Sequence, residues 1–347
     1  MLDALDIFGE LPDGLLEVET CELVRVCPRP TLIELQPSGE SRRKAAVFVS
    51  ITQHGNEDAG LLAMQQFFRQ CSPEQLTRPL KIFVANVEAS QHGVRFTDSQ
   101  IDFNRSWPGT DLPPHGILSL LEQVFTRVAA EPLHASIDIH NNTGRNPHYG
   151  CICSLQEHHL NLASLFSERV VYFTRPKGVQ TQAFMDTCPS VTLECGQVGE
   201  LGGAHLAAQM LDKCMRTENF ESTGGLQELD VMQTFARIQL REDCTVGFEP
   251  GADIVLREDI DLLNFRQLQP GEPIGRLEKH VERCLQVLDS EGNDVTERFV
   301  NDSQGQLRFE RSVTPSMLTK DLKVIRQDCL GYLMDRVEGV NGLRRRR

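Results

Sequence analysis

Between Lys44 and about Gly225, short apolar runs rich in β-branched residues alternate with longer stretches of helical periodicity, and no other feature constrains the fold as strongly. A chain that reads strand, helix, strand, helix must bury its strands under helices, so a parallel or mixed sheet covered on both faces is expected. Residues 45–52 (AAVFVSIT) read as a buried strand, followed by a helix over 59–70 that carries Leu61, Leu62, Met64, Phe67 and Phe68 near helical spacing. The pattern continues with strands over 80–87, 135–140, 170–173 and 190–194, and helices over 117–130, 158–168 and 203–214. Upstream, residues 17–26 and 31–35 read as a hairpin interrupted by Pro28 and Pro30, placed at an edge because proline cannot donate to a ladder.

From about Val231 the grammar changes to strands separated by turn signals such as Glu249-Pro-Gly251, Gln269-Pro-Gly271 and Ser290-Glu-Gly-Asn293. The expected division is a catalytic domain over 1–225 that includes the hairpin, a smaller β-rich domain over 226–338, and a basic tail over 339–347 that ends in Arg344 to Arg347.

Chemistry-bearing residues fall at strand ends, where open α/β sheets place their sites. After the first strong strand, His54-Gly-Asn-Glu57 presents an imidazole and a carboxylate three positions apart. A later strand ends in Asp138-Ile-His140; alternation puts these two side chains on one face, so the carboxylate can orient the imidazole. Two histidines and a glutamate form the three-ligand set of a catalytic zinc, with a fourth position open for water whose pKa the ion lowers from 15.7 to about 7. The strand over 190–194 ends in Glu194, the candidate general base, followed by Cys195-Gly196. Between these pieces, Asp102-Phe-Asn-Arg-Ser-Trp-Pro-Gly109 offers Asn104 and Arg105 to a substrate carboxylate. Each signal alone has a bland reading: a capped loop histidine, a satisfied core histidine, an ion-paired glutamate, a surface arginine. Four such signals in one chain, each at a strand end or in the loop after one, are harder to assign to coincidence.

Composition narrows the partners. With 35 Lys and Arg against 49 Asp and Glu, a formal charge of −14 argues against nucleic acid or anionic membrane as the main partner. Hydrophobic residues at 40% suffice for a sizeable core. Eleven cysteines without a repeating framework, behind a start that lacks the blocks of a signal peptide, predict a cytoplasmic protein with reduced thiols. The Cys151 and Cys153 pair reads as alternation on a strand, because a structural zinc site wants four ligands.

The segments His54-Gly-Asn-Glu57, Asp102-Phe-Asn-Arg105, Asp138-Ile-His140 and Leu193-Glu-Cys-Gly196 together resemble the succinylglutamate desuccinylase and aspartoacylase family, a branch of the zinc carboxypeptidase-like hydrolases. The resemblance implies one zinc per chain on His54, Glu57 and His140, with Glu194 activating the zinc-bound water and protonating the departing amine. It also implies that Asn104 and Arg105 hold a substrate carboxylate and that Arg95 polarises the scissile carbonyl. Arg145 resembles an arginine of the desuccinylase branch that meets an acidic group. Leu268-Gln-Pro-Gly-Glu-Pro-Ile274 resembles a turn of the family's β-domain. In aspartoacylases a segment like Phe299-Val-Asn-Asp302 precedes a tyrosine, whereas Ser303-Gln-Gly305 follows here and Tyr149, Tyr172 and Tyr332 do not match that position.

The function expected is a cytoplasmic zinc amidohydrolase that cleaves a carboxylate-bearing N-acyl amino acid. A metallocarboxypeptidase acting on short peptides and a non-catalytic metal-binding module are the alternatives, and self-association is left open.

Overall fold

The computed structural model describes residues 4–221, 229–278, 284–301 and 305–338. The expected boundary at 225/226, Asp302 with Ser303 and Gln304, and the basic tail over 339–347 lie outside them. The chain divides into two compact units: Met1–Asn141 with His148–Asp230, and Asn142–Pro147 with Val231–Arg347.

In the first unit eight strands form a mixed sheet: β1 (Asp6–Phe8), β2 (Thr31–Leu35), β3 (Ala46–Ile51), β4 (Leu80–Val84), β5 (Leu133–His140), β6 (Tyr149–Ile152), β7 (Arg169–Tyr172) and β8 (Ser190–Glu194). Their spatial order is β1-β2-β4-β3-β5-β8-β6-β7. The central neighbours β4, β3, β5 and β8 run parallel. Parallel strands are covered on both faces, and every residue of β3, β4 and β8 is buried. The helices are α1 (Ala59–Phe68), α2 (Val87–His92), α3 (Gly116–Val128), α4 (Glu157–Ser164), α5 (Gln180–Phe184) and α6 (Leu201–Arg216). α1 and α6 pack together. Elsewhere in the unit, α3 presents Ile117, Leu120, Leu121 and Val124 to a core holding Phe48, Phe83, Trp107 and Phe184. Of the Cys151 and Cys153 pair, Cys151 lies on β6, but the strand ends at Ile152 and Cys153 falls in the bend after it.

Two expectations are corrected. Residues 17–26 form no strand: Thr20–Arg25 is a 3-10 helix that buries Leu23. The reason is topological, because β2 already has β1 on one side and β4 on the other, leaving no edge for a hairpin partner. The strand expected to run to Val87 stops at Val84, because the Asn86 side chain accepts the amide of Ala89 and starts α2.

The second unit holds two sheets. β9 (Asp230–Leu240) lies between β13 (Leu285–Asp289) and β17 (Gly331–Arg336), with β16 (Thr314–Ser316) outside β17. The other sheet runs β10-β11-β12-β15-β14, over Val246–Gly247, Ile254–Leu256, Pro273–Leu277, Gln306–Phe309 and Val300–Asn301. Before β12, the Glu272 amide donates to the Gln269 carbonyl 3.1 Å away, and Gly271 supplies the positive φ of 85° that a Pro-Gly turn requires. Against the expectation of reduced thiols, Cys244 and Cys284 form a disulfide inside this unit's core. No helix among the described residues is long and apolar enough to cross a membrane.

Burial gives the first unit a pH-sensitive component. His134, on β5, is 8% exposed, and burial followed by the charge of Arg78 pushes its pKa down to about 4. Its Nε2 has no hydrogen-bond partner among the described residues. Unfolded histidine titrates near 6.5, so the stability from keeping His134 neutral is present above that value and is lost as pH falls toward 4. Between pH 7 and pH 5 the expected loss is about 2 kcal/mol, read as a lowered urea midpoint. His134→Gln should shrink that loss; an identical drop in the variant would acquit the imidazole.

Candidate active site

β3 ends at Ile51, and Thr52 turns the chain with a φ of 55°. A β-branched residue in the left-handed region costs on the order of 1–3 kcal/mol and persists only where its surroundings enforce it. The turn sends Gln53-His54-Gly55 across α2 so closely that a side chain at Gly55 would place its Cβ 2.1 Å from the Ala89 carbonyl carbon. Only glycine fits, which accounts for the residue beside His54. The Gly55 amide donates to the Arg95 carbonyl 3.1 Å away and stitches these loops together.

Register builds the rest. In the parallel ladders Ser50 lies opposite Asp138 and His140 opposite Glu194, and residues opposite each other share a face. The carboxyl ends of three neighbouring interior strands therefore bring His54, His140 and Glu194 together at one end of the sheet, all buried. Helix α6 closes behind the last of them: a Cβ at Gly203 would fall 1.8 Å from the Cys195 carbonyl oxygen.

His54, Glu57 and His140 offer ligand atoms that all lie within 4.8 Å of one another. His54 Nδ1 is 2.7 Å from Glu57 Oε1, and His140 Nδ1 is 2.7 Å from Glu57 Oε2. The outer ring nitrogens are tied to carboxylates, His54 Nε2 to Asp102 Oδ1 at 3.1 Å and His140 Nε2 to Asp138 Oδ2 at 2.7 Å. Two imidazoles aimed at one carboxylate, each held from behind by another, suit a divalent metal ion: a nitrogen and oxygen donor set with the ring orientation fixed.

The charges reinforce one another. Burial raises the pKa of Glu57, but the two imidazoles outweigh it and hold the carboxyl well below the usual range. For Asp102 burial is likewise overcome, by Arg95, His54 and Arg105. Burial lowers His140, yet Asp138 and Glu57 drive it well above 6.5. The buried Cys195 thiol is pushed far up by desolvation and by Glu194 and Glu57, so it offers no thiolate near neutral pH.

The remaining candidates divide. Arg95 grips Asp102 Oδ2 through Nε at 3.1 Å and Nη2 at 2.8 Å, one carboxylate removed from His54. Asn104 is turned inward: its Oδ1 accepts the Gln180 amide at 3.2 Å, and its Nδ2 lies 3.1 Å from His140 Nε2. Arg105 is half-buried, with Nη1 donating to the Asn104 carbonyl at 2.8 Å. Arg145 belongs to the second unit, where its Nε is 3.6 Å from Asp261 Oδ2.

One supporting residue escaped the sequence reading. The backbone amide of Asn141 donates to Glu57 Oε2 at 3.2 Å, while its side chain accepts the Asp58 and Ala59 amides at the start of α1 and donates to the Gly196 and Gln197 carbonyls. Its only sequence signal was its place directly after His140.

A sequence model of the succinylglutamate desuccinylase/aspartoacylase catalytic domain matches residues 44–217, about half of the chain. No curated protein gives a significant sequence match. Among solved structures, the succinylglutamate desuccinylase of Chromobacterium violaceum aligns with a TM-score of 0.58 and 16% identity over 88% of each chain. A succinylglutamate desuccinylase/aspartoacylase from Rhodobacter sphaeroides gives 0.56 and 16%, again over 88% of both chains. Murine aminoacylase 3 gives 0.50 and 17%, over 84% of this chain and 95% of that one. At such identities the likeness is one of fold.

Proposed function

The chain belongs to the succinylglutamate desuccinylase/aspartoacylase family, and from that premise we propose that it is a zinc-dependent amidohydrolase that cleaves an N-acyl amino acid into a carboxylate and an amino acid. The convergence of His54, Glu57 and His140, with Glu194 opposite His140 in the ladder, carries this reading. Zinc held by those three side chains supplies Lewis acidity, which lowers the pKa of water from 15.7 to about 7 and offsets negative charge on the scissile carbonyl oxygen.

The chain's own residues supply the other functions. Asp102 and Asp138 keep the Nε2 proton on each imidazole, so that both rings present Nδ1 toward Glu57. Glu194 takes a proton from the attacking water and delivers it to the amine nitrogen as the C–N bond breaks, so the carboxylate is regenerated. Arg95, one carboxylate away from His54, is assigned the charge that develops on the oxygen during attack. Substrate carboxylate binding goes to Arg105, because Asn104 is turned inward, with its Oδ1 accepting the Gln180 amide and its Nδ2 held against the His140 ring.

Replacing Arg105 by alanine should raise KM for a carboxylate-bearing substrate by roughly 10–100-fold, the worth of a charge-assisted hydrogen bond, with a smaller effect on kcat. An unaltered KM would move that role elsewhere. The activity itself is tested by incubating zinc-loaded protein with panels of N-acyl amino acids and of dipeptides and following free amine. Turnover confined to N-acyl amino acids is expected. Turnover confined to dipeptides would make the chain a metallocarboxypeptidase, and none on either panel would leave a metal-binding module.

A further inference from the structure

We propose that Trp107 is a positioning residue for the ligand His140, acting through a one-way chain of buried hydrogen bonds that runs Trp107, Gln53, Ser50, Asp138; this rests on the zinc reading above. Trp107 is the single tryptophan of the sequence, is fully buried, and packs its ring edge-on against Phe48, Phe83 and Phe184. Packing explains the ring but not its nitrogen. Nε1–H donates to Gln53 Oε1 at 2.7 Å.

An indole can only donate, and this fixes the polarity of every later link. With Oε1 of Gln53 turned to the indole, its Nε2 faces Ser50 Oγ at 3.3 Å and Gln180 Oε1 at 3.4 Å. Flipping the Gln53 amide would set donor against donor at Trp107 and acceptor against acceptor at Gln180. The Gln180 amide is itself oriented, since its Nε2 donates to Ser136 Oγ and the Ile137 carbonyl. Ser50 therefore accepts from Gln53, and its one proton goes to Asp138 Oδ1 at 2.7 Å. That leaves Asp138 Oδ2 to accept the Nε2 proton of His140. Held this way, His140 keeps its Nδ1 toward Glu57, where a metal needs a lone pair.

Every member of the chain is nine-tenths buried or more, so water offers no easy substitute for a lost link. The indole is thus coupled to a metal ligand it does not touch. Its effect should appear in metal affinity before it appears in fold.

The test measures zinc affinity by chelator competition, with thermal unfolding of the zinc-free protein alongside, for the wild type and three variants. Ser50→Ala removes the proton given to Asp138 and should weaken zinc binding by about 10–100-fold, the usual effect of losing such outer support. Gln53→Glu is nearly isosteric but replaces the donor facing Ser50 with an acceptor. It should draw the serine proton away from Asp138 and weaken zinc binding comparably. Trp107→Phe keeps an aromatic ring, drops the donor, and should weaken zinc binding in the same direction. If Ser50→Ala does not fold, Gln53→Glu carries the comparison. Variants that bind zinc as tightly as the wild type, whatever their unfolding temperatures, would reduce the chain to ordinary core structure and overturn the proposal. A wild type that takes up no zinc would instead overturn the zinc reading on which it stands.

Discussion

Glu194→Gln is expected to lower kcat by a factor on the order of 10²–10⁴ and to leave one zinc per chain in place, because the change removes a proton acceptor and almost nothing else. The two side chains have the same shape, and the position is 8% exposed at the end of β8, where the ladder fixes the backbone. None of the three proposed ligands is altered, so metal content should not move. What disappears is a carboxylate able to hold a proton between attack on the carbonyl and departure of the amine. KM should change far less than kcat, since the interaction lost is one used during bond cleavage. The measurement is steady-state kinetics on an N-acyl amino acid paired with metal analysis of the same sample. An unchanged kcat would remove Glu194 from the chemistry, and loss of zinc together with activity would give it a place in the metal site.

His140→Ala is expected to abolish stoichiometric zinc binding. Two ligands of three remain, and the loss reaches further because the imidazole separates two buried carboxylates, Asp138 at 2.7 Å and Glu57 at 2.7 Å. Removing it leaves those charges with one partner fewer, and an uncompensated buried charge of this kind costs roughly 3–5 kcal/mol. The zinc-free variant should therefore unfold at a lower temperature than the zinc-free wild type, and added zinc should no longer raise that temperature. His54→Ala should behave alike, although Asp102 keeps Arg95 as a partner and the loss of stability should be smaller. Metal analysis is the decisive reading. One retained ion per chain in either variant would take that histidine out of the site.

How much of this was legible in the sequence follows from which interactions are local. Strand ends carry the functional residues, and strands buried on both faces leave an apolar signature that needs no partner to be seen. His54 with Glu57, and Asp138 with His140, are close in sequence and share a loop or a strand face. Asp102 was visible only as part of its segment, because its contact with His54 spans 48 residues. Gln53 and Ser50 gave no signal, and Asn141 only its place after His140, for the same reason: amides and a hydroxyl acquire meaning only from what faces them. The hairpin over 17–35 failed because both sides of β2 are taken by distant strands, β1 before it and β4, which arrives 45 residues later. The Cys244–Cys284 bond, 40 residues apart, is a pairing that cysteine spacing cannot specify. Nor did any composition shift foretell that residues 142–147 belong with the second unit.

The acidic balance acquires a narrower meaning. At −14 the chain as a whole repels anions, so a carboxylate-bearing substrate must be drawn by local charge. Arg95 and Arg105 both lower the pKa of Asp102, which places their positive charge beside the proposed ligands.

On the proposed reading, one zinc on His54, Glu57 and His140 makes this chain a hydrolase. Zinc titration into chelator-stripped protein, with N-acyl amino acid turnover read at each addition, tests it most directly. Activity that is absent at the start, rises linearly and breaks at one equivalent is the predicted result. Full turnover in the stripped protein, or one tightly bound equivalent with no turnover, would contradict it.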